Sequence, residues 1–201
     1  MAEKKSIATI ILAAGESKRF GSPKQLAPLL NKPLLQHAID AAIASQSDSV
    51  TVILGAHEGQ IKSAIDVRTA LALLCAQWRE GLSASIRTGI QSLPASVEAA
   101  LLMLGDQPFV SAAEIDDIIH RFIAERKLIV ASKYGDTFGV PALFDKSLFP
   151  ELCALSGDSG ARVVIERHLA TTSFVPIPEG AHDIDTPEDL ARLEYEVGDS
   201  E

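Results

Sequence analysis

Short apolar runs alternate with amphipathic segments along most of this chain. Six of the runs are typical of buried strands, because they are short, rich in aliphatic and β-branched residues and bounded by polar residues. The predicted strands cover residues 7–13, 50–55, 70–75, 99–104, 128–132 and 173–177. Strands that alternate with helices build βαβ units, so the pattern predicts a three-layer α/β/α, Rossmann-like fold around a mainly parallel sheet.

The predicted helices begin where the chain offers capping residues. Pro33 suits the first turn of one helix, and Ser83 is predicted to be the N-cap of another. Residues 111–114 match a capping box, in which a serine and a glutamate satisfy each other's backbone N–H groups. Residues 186–189 combine a threonine cap, a proline and two acids, which predicts the start of the last helix.

The alternation breaks between residues 134 and 150, where two glycines and a proline punctuate a short apolar piece at 142–144. We expect a short antiparallel excursion or flap there rather than another crossover unit. No repeat, low-complexity tract or linker interrupts the chain. Residues 1–201 are therefore expected to form a single domain.

Composition narrows the range of partners. With 47% hydrophobic and 22% charged residues, the chain has enough apolar material for a full core. The formal net charge of −9 argues against a nucleic-acid partner, which would need clustered cations.

Cys75 and Cys153 have no metal-ligand spacing and are expected to be buried thiols in a reducing compartment. The charged N-terminus precedes too few apolar residues for a signal peptide or membrane span, so we expect no membrane partner and a cytoplasmic location.

The segment between the first strand and Lys24 carries the strongest chemical signal. Its glycines, Gly15 and Gly21, let the backbone approach a ligand and point N–H groups at it. Three cations lie in the same loop: Lys18, Arg19 and Lys24. The spacing matches neither a P-loop nor a dinucleotide-binding fingerprint. The loop is predicted either to hold phosphate or to be a tight strand-to-helix turn with solvated cations.

Two acidic segments could complete a polyphosphate site. Asp106 follows the predicted strand at 99–104, and parallel strands place such turns at one edge of the sheet. Mg²⁺ takes hard oxygen ligands, often one or two carboxylates together with phosphate oxygens. The alternative for Asp106 is a turn former with no chemical role. Asp183 and Asp185 alternate along the chain, so either both face one ligand or they only begin the last helix.

The first loop, LAAGESKRFGSPKQL, resembles the signature loop of the MobA-like nucleotidyltransferases. LAAG with RFG is similar to the molybdenum cofactor cytidylyltransferase branch, whereas the guanylyltransferase branch usually has LAGG with RMG. Further segments resemble motifs of the same branch, in the same order between residues 7 and 193: WREGLSASIRTGI, LLMLGDQPFV, GVPALF with GDSGAR, and DIDTPEDL. One departure is Cys75-Ala76-Gln77, where many relatives have Asn-Pro-Asp.

The resemblance implies a nucleotidyltransferase fold and an enzyme that joins CMP from CTP to a phosphorylated small molecule, with molybdopterin as the favoured acceptor and Mg²⁺ as the cofactor. Catalytic roles fall on Arg19, Lys24 and Asp106. The metal would be held by Asp106 with Asp183 or Asp185. Roles in binding the nucleotide or the acceptor fall on Leu12, Ala13, Ala14, Gly15, Lys24, Gly81, Leu82, Ser83, Ser85, Asp158 and Arg162. A molybdoenzyme or its chaperone would be the protein partner.

Other interpretations stay open at this level. Ser83 and Asp158 could simply cap helices, and Trp78 could stack on a base or pack at the lip of a site. The acceptor could be a sugar 1-phosphate, or the donor another NTP, as in a guanylyltransferase. A nucleotide-binding regulator without catalytic activity is the alternative from a different class.

Overall fold

The computed structural model describes residues 5–178, 184 and 186–198. Its strands are β1 (Ile7–Ala13), β2 (Pro28–Leu29), β3 (Lys32–Pro33), β4 (Ser49–Leu54), β5 (Leu71–Leu74), β6 (Ala99–Leu104), β7 (Ile129–Tyr134), β8 (Thr137–Asp145) and β9 (Thr172–Pro176). Its helices are α1 (Leu34–Ala44), α2 (Glu58–Ala64), α3 (Leu82–Gln91), α4 (Ala112–Glu125), α5 (Phe149–Cys153), α6 (Arg162–Arg167) and α7 (Pro187–Gly198).

Seven of these strands form one sheet in the order β5-β4-β1-β6-β8-β7-β9. β1 lies inside the sheet and pairs in parallel with β4 on one side and β6 on the other. β4 pairs in parallel with β5, and β7 with β9. Among the described strands of this sheet, β8 alone runs in the opposite direction. The prediction of a mainly parallel sheet is therefore confirmed, and the carboxyl ends of β1, β4, β5 and β6 meet at one edge.

β8 is longer than the excursion that the sequence predicts. It spans nine residues and inserts between β6 and β7, so it is part of the main sheet rather than a flap. Its pairing with β7 shifts between Ala131 and Ser132, and this bulge leaves Val140 and Pro141 outside the regular ladder. A proline has no N–H to donate, so a bulge is where a central strand can accept one.

Side chains that alternate along the strands build two apolar layers. In β1, Ile7 and Ile11 face one layer, which contains α1, α2 and α4. Ile10 and Leu12 face the other layer, which contains α3, α5 and α6. Successive residues of a strand point to opposite faces, so this strand is buried throughout because both of its faces are covered. The three-layer prediction is confirmed.

One local detail differs from the sequence-based expectation. Helix α3 begins at Leu82 with Gly81 at the N-cap, so Ser83 lies within the first turn and is not the cap. Gly81 has φ of 105°, a backbone conformation that glycine reaches without strain. The capping box at the start of α4 is present as predicted, with Ser111 and Glu114 bonded to each other's backbone N–H groups.

A small apolar cluster sits beside the first loop and was not predicted. A hairpin of β2 and β3 turns through Leu30 and Asn31, both with positive φ. The buried members of the cluster come from the hairpin region, the start of α1 and the position just before α7. They are Ala27, Leu29, Leu34 and Ile184. Phe20, Phe109 and Leu190 pack around it. This cluster holds the segment before α7 against the loop that follows β1.

In the part of the chain that the structure describes, no helix has the length and apolar character needed to cross a membrane.

The contact between α3 and β1 predicts a stability effect. A Cβ at Gly89 would lie 2.6 Å from Cγ2 of the fully buried Ile10, so Gly89→Ala is expected to destabilise the protein by about 1–3 kcal/mol through overpacking. Gly59→Ala in α2 is the matched control, because nothing lies within 4 Å of its Cβ position. We expect the control to be neutral or stabilising. Urea denaturation of both variants measures the difference, and equal midpoints would contradict it.

Candidate active site

A cleft of about 740 Å³ opens at the carboxyl edge of the sheet, where ligands bind in parallel α/β folds. Three parts of the chain line it: the loop after β1, the loop after β6 and the segment from Trp78 to Ser85 that leads into α3. Asp158, from the loop before α6, completes the lining. The cleft therefore lies where the sequence predicts the chemistry.

The loop after β1 is held by the side chain of Gln25. The Gln25 amide is 4% exposed and donates to the carbonyl oxygens of Ala13 (3.1 Å) and Gly15 (2.9 Å), while its oxygen accepts from the Ser17 hydroxyl (3.3 Å). In a trans peptide the C=O and N–H groups point in opposite directions. The two anchored carbonyls therefore turn the N–H groups of Ala14 and Glu16 away from Gln25. Sequence analysis missed this role, because a glutamine after a lysine carries no local signal.

Lys24 and Asp106 form an ion pair at the base of the cleft. Lys24 Nζ lies 2.5 Å from Asp106 Oδ2, and the two side chains are only 16% and 17% exposed. The same ammonium donates to the backbone carbonyl of Ile184 at 3.0 Å. The structure thus brings together the two residues that the sequence names as the catalytic cation and the metal carboxylate.

The second oxygen of Asp106 is available to a ligand. Asp106 Oδ1 is buried and has no hydrogen-bond partner among the described residues. A buried carboxylate oxygen without a partner is unfavourable, and a hard cation supplies the missing interaction. The described residues contain no group of three or more His, Cys, Asp or Glu side chains that could hold a metal ion. Asp183 and Asp185 lie outside the described residues, but Ile184 between them contacts Lys24.

The far wall of the cleft is built by the turn into α3 and the loop before α6. The Ser83 backbone N–H donates to the Gly157 carbonyl at 3.2 Å. A Cβ at Gly81 would lie 2.5 Å from Asp158 Oδ1, so these two loops are in close contact. Asp158 does not cap α6, whose N-cap is Ala161. Its carboxylate instead faces the cleft.

Most of the residues proposed from the sequence line this cleft. They are Leu12, Ala13, Ala14, Gly15, Arg19, Lys24, Gly81, Leu82, Ser85, Asp106 and Asp158. Two do not. The Ser83 side chain is 1% exposed within α3, and Arg162 pairs with Glu166 and lies over the Phe138 ring, outside the cleft lining.

Trp78 and Arg79 line the cleft between the loop after β1 and α3. Trp78 also packs on the apolar layer below it, which is the packing role that the sequence left open, and stacking on a base stays a prediction. The Arg79 guanidinium lies 4.3 Å from the centre of the Trp78 ring, which is a cation–π contact. Arg79 was not among the residues named from the sequence.

A comparison with protein families matches residues 9–172 to the MobA-like NTP transferase domain. The chain belongs to this family. The fold, the cleft and the loop after β1 are thus those of a MobA-like nucleotidyltransferase.

Curated relatives of this MobA-like protein have several functions. The molybdenum cofactor guanylyltransferase of Rhodobacter capsulatus is 29% identical over 94% of this chain and 95% of its own length. The nicotine blue oxidoreductase of Paenarthrobacter nicotinovorans is 24% identical, covering 92% and 94%. The bifunctional protein GlmU of Sorangium cellulosum is 28% identical over 56% of this chain, a match that spans only 25% of GlmU.

Solved structures agree with the fold. Rv0371c from Mycobacterium tuberculosis H37Rv superposes with a TM-score of 0.83 and 28% identity, covering 95% of this chain and 98% of that one. A complex of Rv0371c with manganese has a TM-score of 0.79 and 27% identity, covering 95% and 99%.

The anchoring of the loop by Gln25 predicts a binding defect in addition to a stability defect. Gln25→Met is nearly isosteric but leaves two carbonyls without their donor, which is expected to cost about 1–3 kcal/mol of stability. It should also weaken the binding of inorganic pyrophosphate, because the loop N–H groups lose their fixed direction. Denaturation and calorimetric titration measure the two effects.

Gln36→Met is the matched control. Gln36 is likewise buried and bonds Asp40 and the backbone of Asp66, but it lies in α1 outside the cleft lining. We expect it to lose stability and to bind pyrophosphate normally. Equal pyrophosphate affinities for the two variants would contradict a role for Gln25 in the loop.

Proposed function

We propose that this protein transfers CMP from CTP to a phosphorylated acceptor, with molybdopterin as the favoured acceptor, and releases pyrophosphate. The observation that carries the proposal is the Lys24–Asp106 pair at the edge of a cleft bordered by a cation-bearing loop. Family membership supports the reaction class, and the motifs of the cytidylyltransferase branch support CTP and molybdopterin.

Mg²⁺ fits the residues present. Asp106 offers a buried oxygen without a partner among the described residues, and Asp183 or Asp185 would add a second carboxylate, since they flank Ile184, whose carbonyl accepts from Lys24. A bound divalent cation would neutralise phosphate charge and orient the donor. The manganese complex of Rv0371c supports a divalent cation in a protein of this fold.

The protein's own residues supply positioning and charge. In the proposed reaction an oxygen of the acceptor phosphate attacks the α-phosphorus of CTP, and the bond from that phosphorus to the bridging oxygen breaks as pyrophosphate leaves. Lys24 and Arg19 line the cleft where they can neutralise the triphosphate and the departing pyrophosphate. No nucleophilic side chain is needed, because the acceptor itself is the nucleophile and the site holds the reactants in line.

The preference for CTP rests on the shape of the cleft near Ala14. Ala14 follows β1, lines the cleft and is 5% exposed, and the backbone fixes the position of its methyl group. A methyl group there narrows the space for a purine and leaves room for a pyrimidine. A second candidate is the same reaction with GTP, which the similarity to the Rhodobacter capsulatus guanylyltransferase favours.

An NTP panel tests the proposed function. With Mg²⁺ and molybdopterin, CTP should give the fastest pyrophosphate release, with kcat/KM about 10 to 200-fold above GTP, the range that a small steric difference provides. Ala14→Gly should reduce the ratio of kcat/KM for CTP to kcat/KM for GTP. A wild-type preference for GTP would refute the base assignment. No pyrophosphate release with any NTP would favour a regulator without catalytic activity.

A variant of Asp106 tests the metal assignment. Asp106→Asn keeps an acceptor for Lys24 but removes the charge that would hold Mg²⁺, so kcat should fall by at least about 10²-fold and the Mg²⁺ requirement should rise. Asp145→Asn is the control, because Asp145 also pairs with a lysine, Lys5, but outside the cleft lining. It should cost stability and leave kcat unchanged. A wild-type Mg²⁺ titration in Asp106→Asn would sink the metal assignment.

A further inference from the structure

Arg79 is a cation of the cleft for which the described residues provide no carboxylate partner. Its guanidinium lies over the Trp78 ring at 4.3 Å, and within the described residues no acid lies within ion-pair distance of it. The adjacent acid, Glu80, pairs instead with Arg87 at 2.7 Å. In the loop opposite, Lys18 is paired with Glu16 and Lys24 with Asp106. Arg79 therefore differs from these cations in having an aromatic ring as its contact.

The Trp78 ring holds Arg79 close to the start of the loop after β1. A Cβ at Gly55 would lie 2.5 Å from the Ala14 carbonyl oxygen and 2.6 Å from Trp78 Cβ. The Trp78 side chain is thus wedged against the end of β1, and only a glycine at 55 permits that approach. A guanidinium stacked on this ring stays near the loop, because the ring itself packs on the apolar layer.

The chemistry of Arg79 suits a phosphate group. A guanidinium presents a planar fork of N–H donors that matches two phosphate oxygens, and it keeps this capacity while stacked on an aromatic ring. The whole chain has a formal charge of −9, so a phosphorylated ligand approaches against a repulsive field. An unneutralised cation at the cleft lowers that barrier locally.

We propose that Arg79, presented by Trp78, is a phosphate-binding residue of this cleft. The proposal rests on the proposed function, since it assigns the residue to a substrate of that reaction. The phosphate has two sources: the triphosphate of the nucleotide, or the phosphate of the acceptor. In either case Arg79 adds a contact that the loop after β1 does not supply.

Trp78 provides a direct readout, because it is the single tryptophan of the chain. Tryptophan fluorescence is titrated with inorganic pyrophosphate, CTP, CMP and cytidine in the wild type, Arg79→Gln and Arg79→Lys. Arg167→Gln is the matched control, since it removes the same charge from an exposed residue that pairs with Glu151 outside the cleft lining. The KM for molybdopterin is measured in the same proteins.

We expect Arg79→Gln to raise the Kd of pyrophosphate and CTP by about 10-fold or more and to leave cytidine binding unchanged. Arg79→Lys should recover part of the loss, because it restores the charge without the fork. Normal pyrophosphate and CTP binding with a higher KM for molybdopterin would assign Arg79 to the acceptor phosphate. Either pattern supports the proposal, provided that Arg167→Gln behaves as wild type.

Two results would overturn the proposal. Equal weakening of cytidine and pyrophosphate would place Arg79 on the base or ribose, and no change with any ligand would make it a surface residue. Failure of the proposed function is distinguishable, because it appears as absent pyrophosphate release in the wild type. Arg79-dependent binding of pyrophosphate would still stand in that case.

Discussion

The ion pair between Lys24 and Asp106 joins two loops that lie 82 residues apart in the chain. Both side chains are largely removed from solvent, so each charge is stabilised by the other, and the Lys24 ammonium is stabilised also by the Ile184 carbonyl. A pair of apolar residues at these positions would make a simpler core. A protein keeps such a pair where its charges have a use, and here they lie beside the loop that Gln25 anchors.

The charge of the cleft lining differs from the net charge of the chain. The chain as a whole is acidic, yet the cleft gathers four cations from two walls: Lys18, Arg19, Lys24 and Arg79. Fixed charges in a concave site act at short range, where screening by salt is weakest. The acidic remainder of the surface then opposes non-specific binding of nucleic acid. These charges suit the small phosphorylated substrates of the proposed reaction.

Features set by local sequence could be predicted, and features set by packing could not. Strands β1 and β6 were predicted with their observed bounds, because continuous apolar runs bounded by polar residues mark strands buried on both faces. The capping box of α4 was predicted from two residues three positions apart. The predicted length of β8 was too short, because Gly139 and Pro141 act as strand breakers unless a bulge accommodates them.

The same distinction holds for the site. Loops after neighbouring parallel strands must converge, so the meeting of Lys24 with Asp106 followed from topology. The directions of the side chains could not be predicted from this topology. Ser83 is turned inward by the start of α3 at Leu82, and Arg162 pairs along its own helix with Glu166. The roles of Gln25 and Arg79 depend on contacts with backbone carbonyls and an aromatic ring, which no residue pattern reveals.

The contact between Lys24 and the Ile184 carbonyl has a consequence for synthesis on the ribosome. These residues are 160 positions apart, so the cleft remains incomplete until nearly all of the described chain has left the exit tunnel. The sheet around β1, β4 and β6 can form well before that. A nascent chain of this protein would therefore fold its scaffold first and acquire a finished cleft only after Ile184 has emerged from the ribosome.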